Sequence, residues 1–210
     1  MKINLKKYNQ YKSDIFNKLN FRFKEGKNLL DVGCGDGTDA EIFIKEFKLN
    51  TFGIDIYKHE NIKKVKGLKY KKARIYKIPF KKETFDYVFL HDVLHHIDEK
   101  EQSLSKHIIA LRELKRVCKK EGIIIIIEGN RYNPLFYPHM VKILGHNHWK
   151  QSYFKKTIKN VFSKVQFKFF EAHVYPKKFL LFWKVYERIM EVLIPQQFLA
   201  YNVAIITNTR

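Results

Sequence analysis

The stretch Leu29-Leu30-Asp31-Val32-Gly33-Cys34-Gly35-Asp36-Gly37-Thr38 decides how the rest of the chain is read. An apolar run ends near an acid, three glycines follow at alternate positions, and a helix-forming segment begins at Thr38. A strand that runs through such a loop into a helix lets the backbone pass close to a ligand where a side chain would obstruct it. It also opens the helix N-terminus to polar contacts. A loop that cradles a pyrophosphate usually reads G-x-G-x-x-G. Here the spacing is G-x-G-x-G with Asp31 two residues ahead, and an acid there suits a cationic aminopropyl group better than a pyrophosphate. A plain tight turn is the competing reading.

Outward from this loop, strand-like and helix-like stretches alternate, the pattern of a parallel sheet with crossover helices. Strands are predicted at Asn28 to Val32, Thr51 to Ile56, Lys69 to Ile75, Phe85 to Leu90, Ile123 to Glu128, Val165 to Tyr175 and Tyr201 to Thr207. Helices are predicted at Thr38 to Lys48, Lys100 to Lys119, Ser152 to Phe162 and Lys177 to Ile194, with a Lys-rich helix or loop after Ile56. Five consecutive isoleucines, Ile123 to Ile127, suit a central strand buried on both faces. Residues 129–150 carry Pro134, Pro138, Gly145 and several aromatics, and read as an irregular insertion. The second strand ends in Gly53-Ile54-Asp55-Ile56, about twenty residues past the glycines, where a carboxylate can accept from two ribose hydroxyls. An ordinary helix cap is the alternative for Asp55.

At 210 residues and 45% hydrophobic content, the chain is read as one domain, 1–210, with a cofactor-binding core over 28–128. Met1 to Phe16 has no apolar stretch of the signal-peptide type, and the longest apolar runs fall far short of the ~18 to 20 residues that cross a bilayer. A cytoplasmic protein is expected. Cys34 and Cys118 lack metal-type spacing and are expected to be free thiols. The formal charge of +20 favours an anionic partner. However, only seven of the 41 basic residues are Arg, and the lysines are scattered, so a general lysine bias on solvated faces explains the charge equally well.

Taken together, these motifs resemble the class I S-adenosylmethionine-dependent methyltransferases of the small-molecule type, including those of ubiquinone and menaquinone biosynthesis. The resemblance covers roughly Leu29 to Glu128. Asp31 to Gly37 resembles the family's cofactor loop, and Asp55 its ribose acid with Ile56 against adenine. Arg74-Ile75-Tyr76-Lys77-Ile78-Pro79-Phe80 is similar to the segment beside the adenine, and Phe85 to His96 to the fourth-strand motif. Leu114-Lys115-Arg116-Val117 with Glu121-Gly122-Ile123 resembles the entry into strand five. The resemblance implies an α/β, Rossmann-like, doubly wound, seven-stranded, mostly parallel sheet with an antiparallel last strand. It implies S-adenosylmethionine as cofactor, held by Asp31, Gly33, Cys34, Gly35, Gly37, Asp55, Ile56, Arg74, Ile75, Leu90 and His91. The chain departs from the pattern at Arg74, where an acid commonly accepts from the adenine amino group. Arginine has no acceptor, which leaves adenine to the Ile75 backbone and apolar packing.

Methyl transfer is an in-line displacement at an activated sulfonium, so alignment and exclusion of water are the main work. A base is needed only if the acceptor must lose a proton. His95 and His96, then His91, are the catalytic candidates, with Asp92 and Glu128 at neighbouring strand ends; helix-start packing is the competing role for these histidines. With His146 and His148 they could suggest a metal, but no spacing fixes a coordination geometry and none is expected.

Two acceptor-side insertions, 129–150 and 176–198, should choose the acceptor. Arg131 and Tyr132 could grip a carboxylate or phosphate. Between Phe179 and Ile194 the polar residues are Lys184, Glu187, Arg188 and Glu191, on one narrow helical stripe. That helix is read as buried, or else as a lid over a hydrophobic acceptor, a homodimer interface or a peripheral membrane contact through 177–194 beside Lys177-Lys178. The expected acceptor is small, lipophilic or lipid-linked. An RNA methyltransferase using the basic surface is the alternative, disfavoured because no appended RNA-binding module is recognisable.

Overall fold

A computed structural model describes residues 5, 8–175 and 177–209. Parts of Met1 to Phe16, Pro176 at the head of the 176–198 segment, and Arg210 lie outside the described residues.

Seven strands form one sheet: β1 (Asn28–Val32), β2 (Asn50–Asp55), β3 (Lys69–Lys72), β4 (Phe85–His91), β5 (Cys118–Gly129), β6 (Val165–Phe170) and β7 (Tyr201–Thr207), in the order β3-β2-β1-β4-β5-β7-β6. β1 to β5 pair in parallel, and β7 runs antiparallel to both neighbours. The expected doubly wound architecture is therefore present. The isoleucine run builds its centre. Ile124 and Ile126 face a core shared with α3 (Leu104–Val117) and α4 (Gln151–Lys159), while Ile125 and Ile127 face the opposite core. That second core takes in α1 (Gln10–Leu19) and α2 (Thr38–Lys45). Alternation along a strand sends successive side chains to opposite faces, so both faces must be apolar.

Helix α1 was not anticipated from the sequence. Asn9 caps it, its side chain accepting from the Lys12 N–H, and Ile15, Phe16 and Leu19 bury its inner face. Phe16 meets Phe43, Phe47 and Phe89 in an aromatic cluster.

Several boundaries differ from expectation, each for a local reason. β3 stops at Lys72, not Ile75, because its one neighbour, β2, ends at Asp55. Arg74 and Ile75 therefore sit in a loop. β6 stops at Phe170, not Tyr175, because Phe170 pairs with Tyr201, the first residue of β7. α2 ends at Lys45, and the left-handed Lys48 turns the chain into β2. α3 starts only at Leu104, after left-handed Asp98 and Gln102. The Lys-rich segment holds a 3-10 turn, Glu60–Lys64, and the 129–150 insertion contains a π-helical turn, Tyr137–Ile143.

Helix α5 (Leu180–Leu193) overturns the expectation of a buried apolar helix. It lies between β6 and β7, with Glu187 buried and Lys184 and Glu191 half-buried. Lys18 bridges Glu187 and Glu191 at 2.9 and 2.8 Å, and Lys184 bridges Asp14 and Glu187. Leu181, Phe182, Val185, Ile189, Val192 and Leu193 are exposed, Leu181 by 81%. Lys184, Glu187 and Glu191 face the protein together with Met190 and the part-buried Trp183 and Tyr186, while Arg188 and the remaining apolar side chains face outward.

Candidate active site

The parallel strands end together at one edge of the sheet, and the strand order reverses beside β1. In open α/β sheets that is where the crevice forms. A cleft of about 630 Å³ lies there, lined by Gly33, Asp55, Ile56, Arg74, Ile75, Asp92, His96 and Glu99 among others. Of the eleven expected cofactor contacts, Gly33, Asp55, Ile56, Arg74 and Ile75 line it.

The glycine loop is built to be close. Gly33 has φ +72°, and a Cβ there would lie 2.5 Å from Val93 Cγ2, so only glycine fits. Where a Gly35 Cβ would stand there is open space, and the Gly35 N–H donates to Asp55 Oδ2 at 2.9 Å. Asp55 Oδ1 accepts from the Tyr57 N–H at 3.0 Å. Each carboxylate oxygen has two lone pairs, so Asp55 can still accept from a diol while holding the loop.

Asp31 is 2% exposed, and its Oδ2 has no hydrogen-bond partner. Burial, reinforced by Asp39, pushes its pKa well above the carboxylate range, with Lys12 opposing. A desolvated, unpartnered carboxylate oxygen is a strong acceptor for an ammonium group. Cys34 and Leu90 turn inward. The Cys34 thiol is buried against Gly53, and burial and then Asp31 push its pKa far up, so it is no nucleophile. Leu90 is fully buried in the core.

The histidines separate into three environments. His96 lines the cleft with a half-exposed side chain, its Nδ1 3.6 Å from Glu99 Oε2; burial and the neighbouring His95 lower its pKa. His95 is buried, and its Nδ1 donates to Glu128 Oε2 at 2.8 Å. Burial alone would lower the His95 pKa, but the Glu128 charge and hydrogen bond outweigh it and raise it. Glu128 Oε1 also accepts from the backbone N–H groups of Val93 and Leu94, at 2.9 and 2.5 Å, and so shapes the turn after β4.

His91 does not line the cleft. Its Nε2 lies 2.8 Å from the Tyr11 hydroxyl and its Nδ1 2.9 Å from Asp39 Oδ2. Tyr11 in turn meets Tyr201 at 2.6 Å, and the Tyr201 hydroxyl donates to Asp92 Oδ2 at 3.2 Å. Burial pushes both tyrosines well above the phenol range, Asp92 adding to it. Burial alone would raise the Asp39 pKa, but Lys12 and His91 hold it well below the carboxylate range. Tyr11, Lys12, Asp39 and Tyr201 were missed from the sequence. The Asn9 cap with apolar residues at Tyr11, Ile15 and Leu19 was the available signal for the helix that delivers the first two.

The family model described as a methyltransferase domain matches residues 30–126. The stretch covers the glycine loop, Asp55, the Arg74 loop and the histidine turn. It is an S-adenosylmethionine-dependent methyltransferase domain. An uncharacterized methyltransferase of Schizosaccharomyces pombe is 32% identical over 130 residues, covering 55% of this chain and 44% of that protein. The chain spans about half the length of the curated relatives it matches. Among solved structures, the methyltransferase in complex with the Haloferax volcanii Trm112 methyltransferase activator superposes with TM-score 0.71 at 12% identity, over 95% of this chain and 90% of that one. A methyltransferase of Archaeoglobus fulgidus superposes with TM-score 0.66 at 19% identity, over 92% and 90%. These two likenesses concern the fold.

The methyltransferase domain's own residues fit the cofactor. Asp31, fully enclosed behind the glycine loop with Oδ2 unpartnered, would accept from an amino-acid ammonium; Gly35 has open space where a Cβ would stand, Asp55 would accept from the ribose diol, and exposed Ile56 lies at the cleft rim.

Proposed function

We propose that this chain transfers a methyl group from S-adenosylmethionine to a small lipophilic or lipid-linked acceptor drawn from an anionic membrane surface. The observation that carries this reading is helix α5, whose outward row of Leu181, Phe182, Val185, Ile189, Val192 and Leu193 has no cover among the described residues. Monomeric surfaces rarely leave so large an apolar patch exposed. An exposed row of Leu, Phe, Val and Ile beside Lys178, on a chain of charge +20, is the composition of an interfacial membrane helix.

The end of the sheet from which residues 171–200 leave supports an acceptor entering from that side. Residues 171–200 leave and re-enter the sheet at Phe170 and Tyr201, at the same end of the sheet as Gly129. When bound, the cofactor supplies an already activated methyl group. Asp55 and the glycine loop fix its nucleoside, Asp31 its ammonium, and the closed packing of Val93 on Gly33 keeps water from beneath the loop. His96, half-exposed in the cleft wall, takes a proton from an acceptor hydroxyl or amine during transfer. His95 and Glu128 act through it by holding the turn.

Vesicle flotation tests the reading. The protein should float with phosphatidylglycerol vesicles and not with phosphatidylcholine, and the triple change Leu181→Ser, Phe182→Ser, Val185→Ser should abolish flotation while leaving cofactor binding intact. Labelled methyl should pass into the lipid extract. Transfer into RNA with salt-sensitive RNA binding, or a stable dimer or an activator complex that buries α5, would overturn it.

A further inference from the structure

Beside the cofactor cleft lies a cluster whose central member has no partner. His148 is 3% exposed, and neither of its ring nitrogens makes a hydrogen bond. Leaving a buried polar group unmade costs ~1–3 kcal/mol, and native structures rarely keep one without a ligand, ion or water to answer it. The fold makes a specific place for this ring. A Cβ on Gly129 would lie 2.8 Å from His148 Nδ1, so the last residue of β5 must lack one.

His148 packs on His95 with ring centroids 4.2 Å apart, and the Asp92 carboxylate stands beside both. Asp92, His95 and His148 each offer one ligand atom within 4.8 Å of the others. His95 is already oriented for coordination. Its Nδ1–H is committed to Glu128, which fixes the tautomer and leaves the lone pair on Nε2. A carboxylate behind a histidine is the usual way in which proteins aim an imidazole at a metal. Asp92 is itself held, Oδ1 accepting from the Gly129 N–H at 2.9 Å and Oδ2 from Tyr201. It brings the negative charge that a buried cation requires. Two imidazoles and one carboxylate form the donor set of a borderline divalent ion such as Zn²⁺, Co²⁺ or Fe²⁺.

We propose that Asp92, His95 and His148 bind one divalent first-row transition-metal ion at the end of β4. The ion ties the segment around His148 to the histidine turn and satisfies the orphaned imidazole. Three protein ligands leave a coordination position open, and Asp92 is part of the cleft wall. A second trio, His95, His96 and His146, shares the His95 ring. Its outer members lean on Glu99, at 3.6 and 3.4 Å, and are part-exposed, so the trio with two buried imidazoles and a carboxylate is the tighter site. The proposal stands whatever the methyl acceptor is.

The test uses the full chain, stripped with chelator and titrated with Co²⁺ by visible absorption and with Zn²⁺ by calorimetry. One equivalent should bind in the micromolar range or tighter, with ligand-field bands and a raised melting temperature. His148→Ala should weaken binding at least tenfold. It removes a group that makes no hydrogen bond, so it should fold, as circular dichroism will verify. Glu128→Gln, which changes no ligand, should cost 10–100-fold, and His146→Ala should change nothing. Absence of saturable binding by the folded wild type, or loss of binding in His146→Ala with retention in His148→Ala, would overturn the assignment.

Discussion

Lys12 Nζ lies 2.7 Å from Asp39 Oδ2, an ion pair that ties the helix before the first strand to the helix that follows the glycine loop. Both side chains are largely buried, and Asp39 also accepts from His91. The folded pKa of Asp39 is depressed, so its stabilisation is fully present above the unfolded value near 3.9 and is lost as pH falls through the folded value. Asp39→Asn should therefore destabilise by roughly 3 kcal/mol at pH 7. In denaturant titrations the gap between wild type and variant should narrow progressively below about pH 4. A gap independent of pH would mean that the pair is not ionic.

Asp31 has the opposite sign. Its folded pKa is raised, so the native state holds its proton more tightly than the unfolded chain, and the stability it contributes falls as pH rises from about 4 through the folded value. Asp31→Asn should raise the melting temperature of the cofactor-free protein by a few degrees at pH 7, and the gain should vanish near pH 4. The same variant should bind S-adenosylmethionine at least tenfold more weakly by calorimetry. Unchanged affinity would remove the ammonium from its assigned place.

Asp55→Ala should weaken the cofactor on two counts. It removes a charged acceptor from the diol, with hydrogen bonds to charged groups worth about 1.5–3 kcal/mol each. It also frees the Gly35 N–H that Asp55 now holds. A loss of ten- to several-hundred-fold in S-adenosylmethionine affinity is expected, with no compensating affinity for NADH.

Gly33→Ala should destabilise by about 1–3 kcal/mol, the range for overpacking and strained backbone. The added methyl would meet Val93 Cγ2 at 2.5 Å in a left-handed backbone. Val93→Ala should restore part of the loss, since it removes the clash and leaves the φ strain. Chemical denaturation of the two single variants and the double variant separates the two contributions.

On helix α5, Leu181→Lys should change stability by less than about 0.5 kcal/mol, as exposed positions do. Glu187→Ala should cost about 1.5–3 kcal/mol, because it removes the buried carboxylate that Lys18 and Lys184 share and leaves each with one acidic partner, Glu191 and Asp14. The ordinary amphipathic arrangement would give the reverse ranking.

The sheet and its cofactor edge were legible because their signals are local. Asp31 to Gly37, Asp55 and the isoleucine run each announce a backbone shape or a double-sided burial within a few residues. The rest depends on contacts distant in sequence. Tyr11 and His91 are eighty positions apart, and His148 reaches His95 only through the packing of the 129–150 insertion. Periodicity gathered Lys184, Glu187, Arg188 and Glu191 into one stripe on α5, but it could not say that the stripe points inward at every member except Arg188. Its direction is set by Lys18 and Asp14 on a helix that the Lys- and Asn-rich N-terminal sequence concealed.

The antiparallel last strand has a consequence for how such a chain can diversify. Phe170 and Tyr201 face each other as a cross-strand pair, and the thirty residues between them are anchored to the rest of the fold through a few polar ties, from Lys18 and Asp14 to α5 and from Asn130 to the carbonyls of Gln197 and Leu199. Exposed positions such as Leu181, Phe182 and Val185 lie off those ties, so they can change without disturbing the strands that lead into Gly33, Asp55 and the histidine turn. The fold thus keeps an outer face that can vary while its anchoring ties stay in place, and exchanging those side chains between chains of this architecture would test whether α5 takes part in acceptor choice.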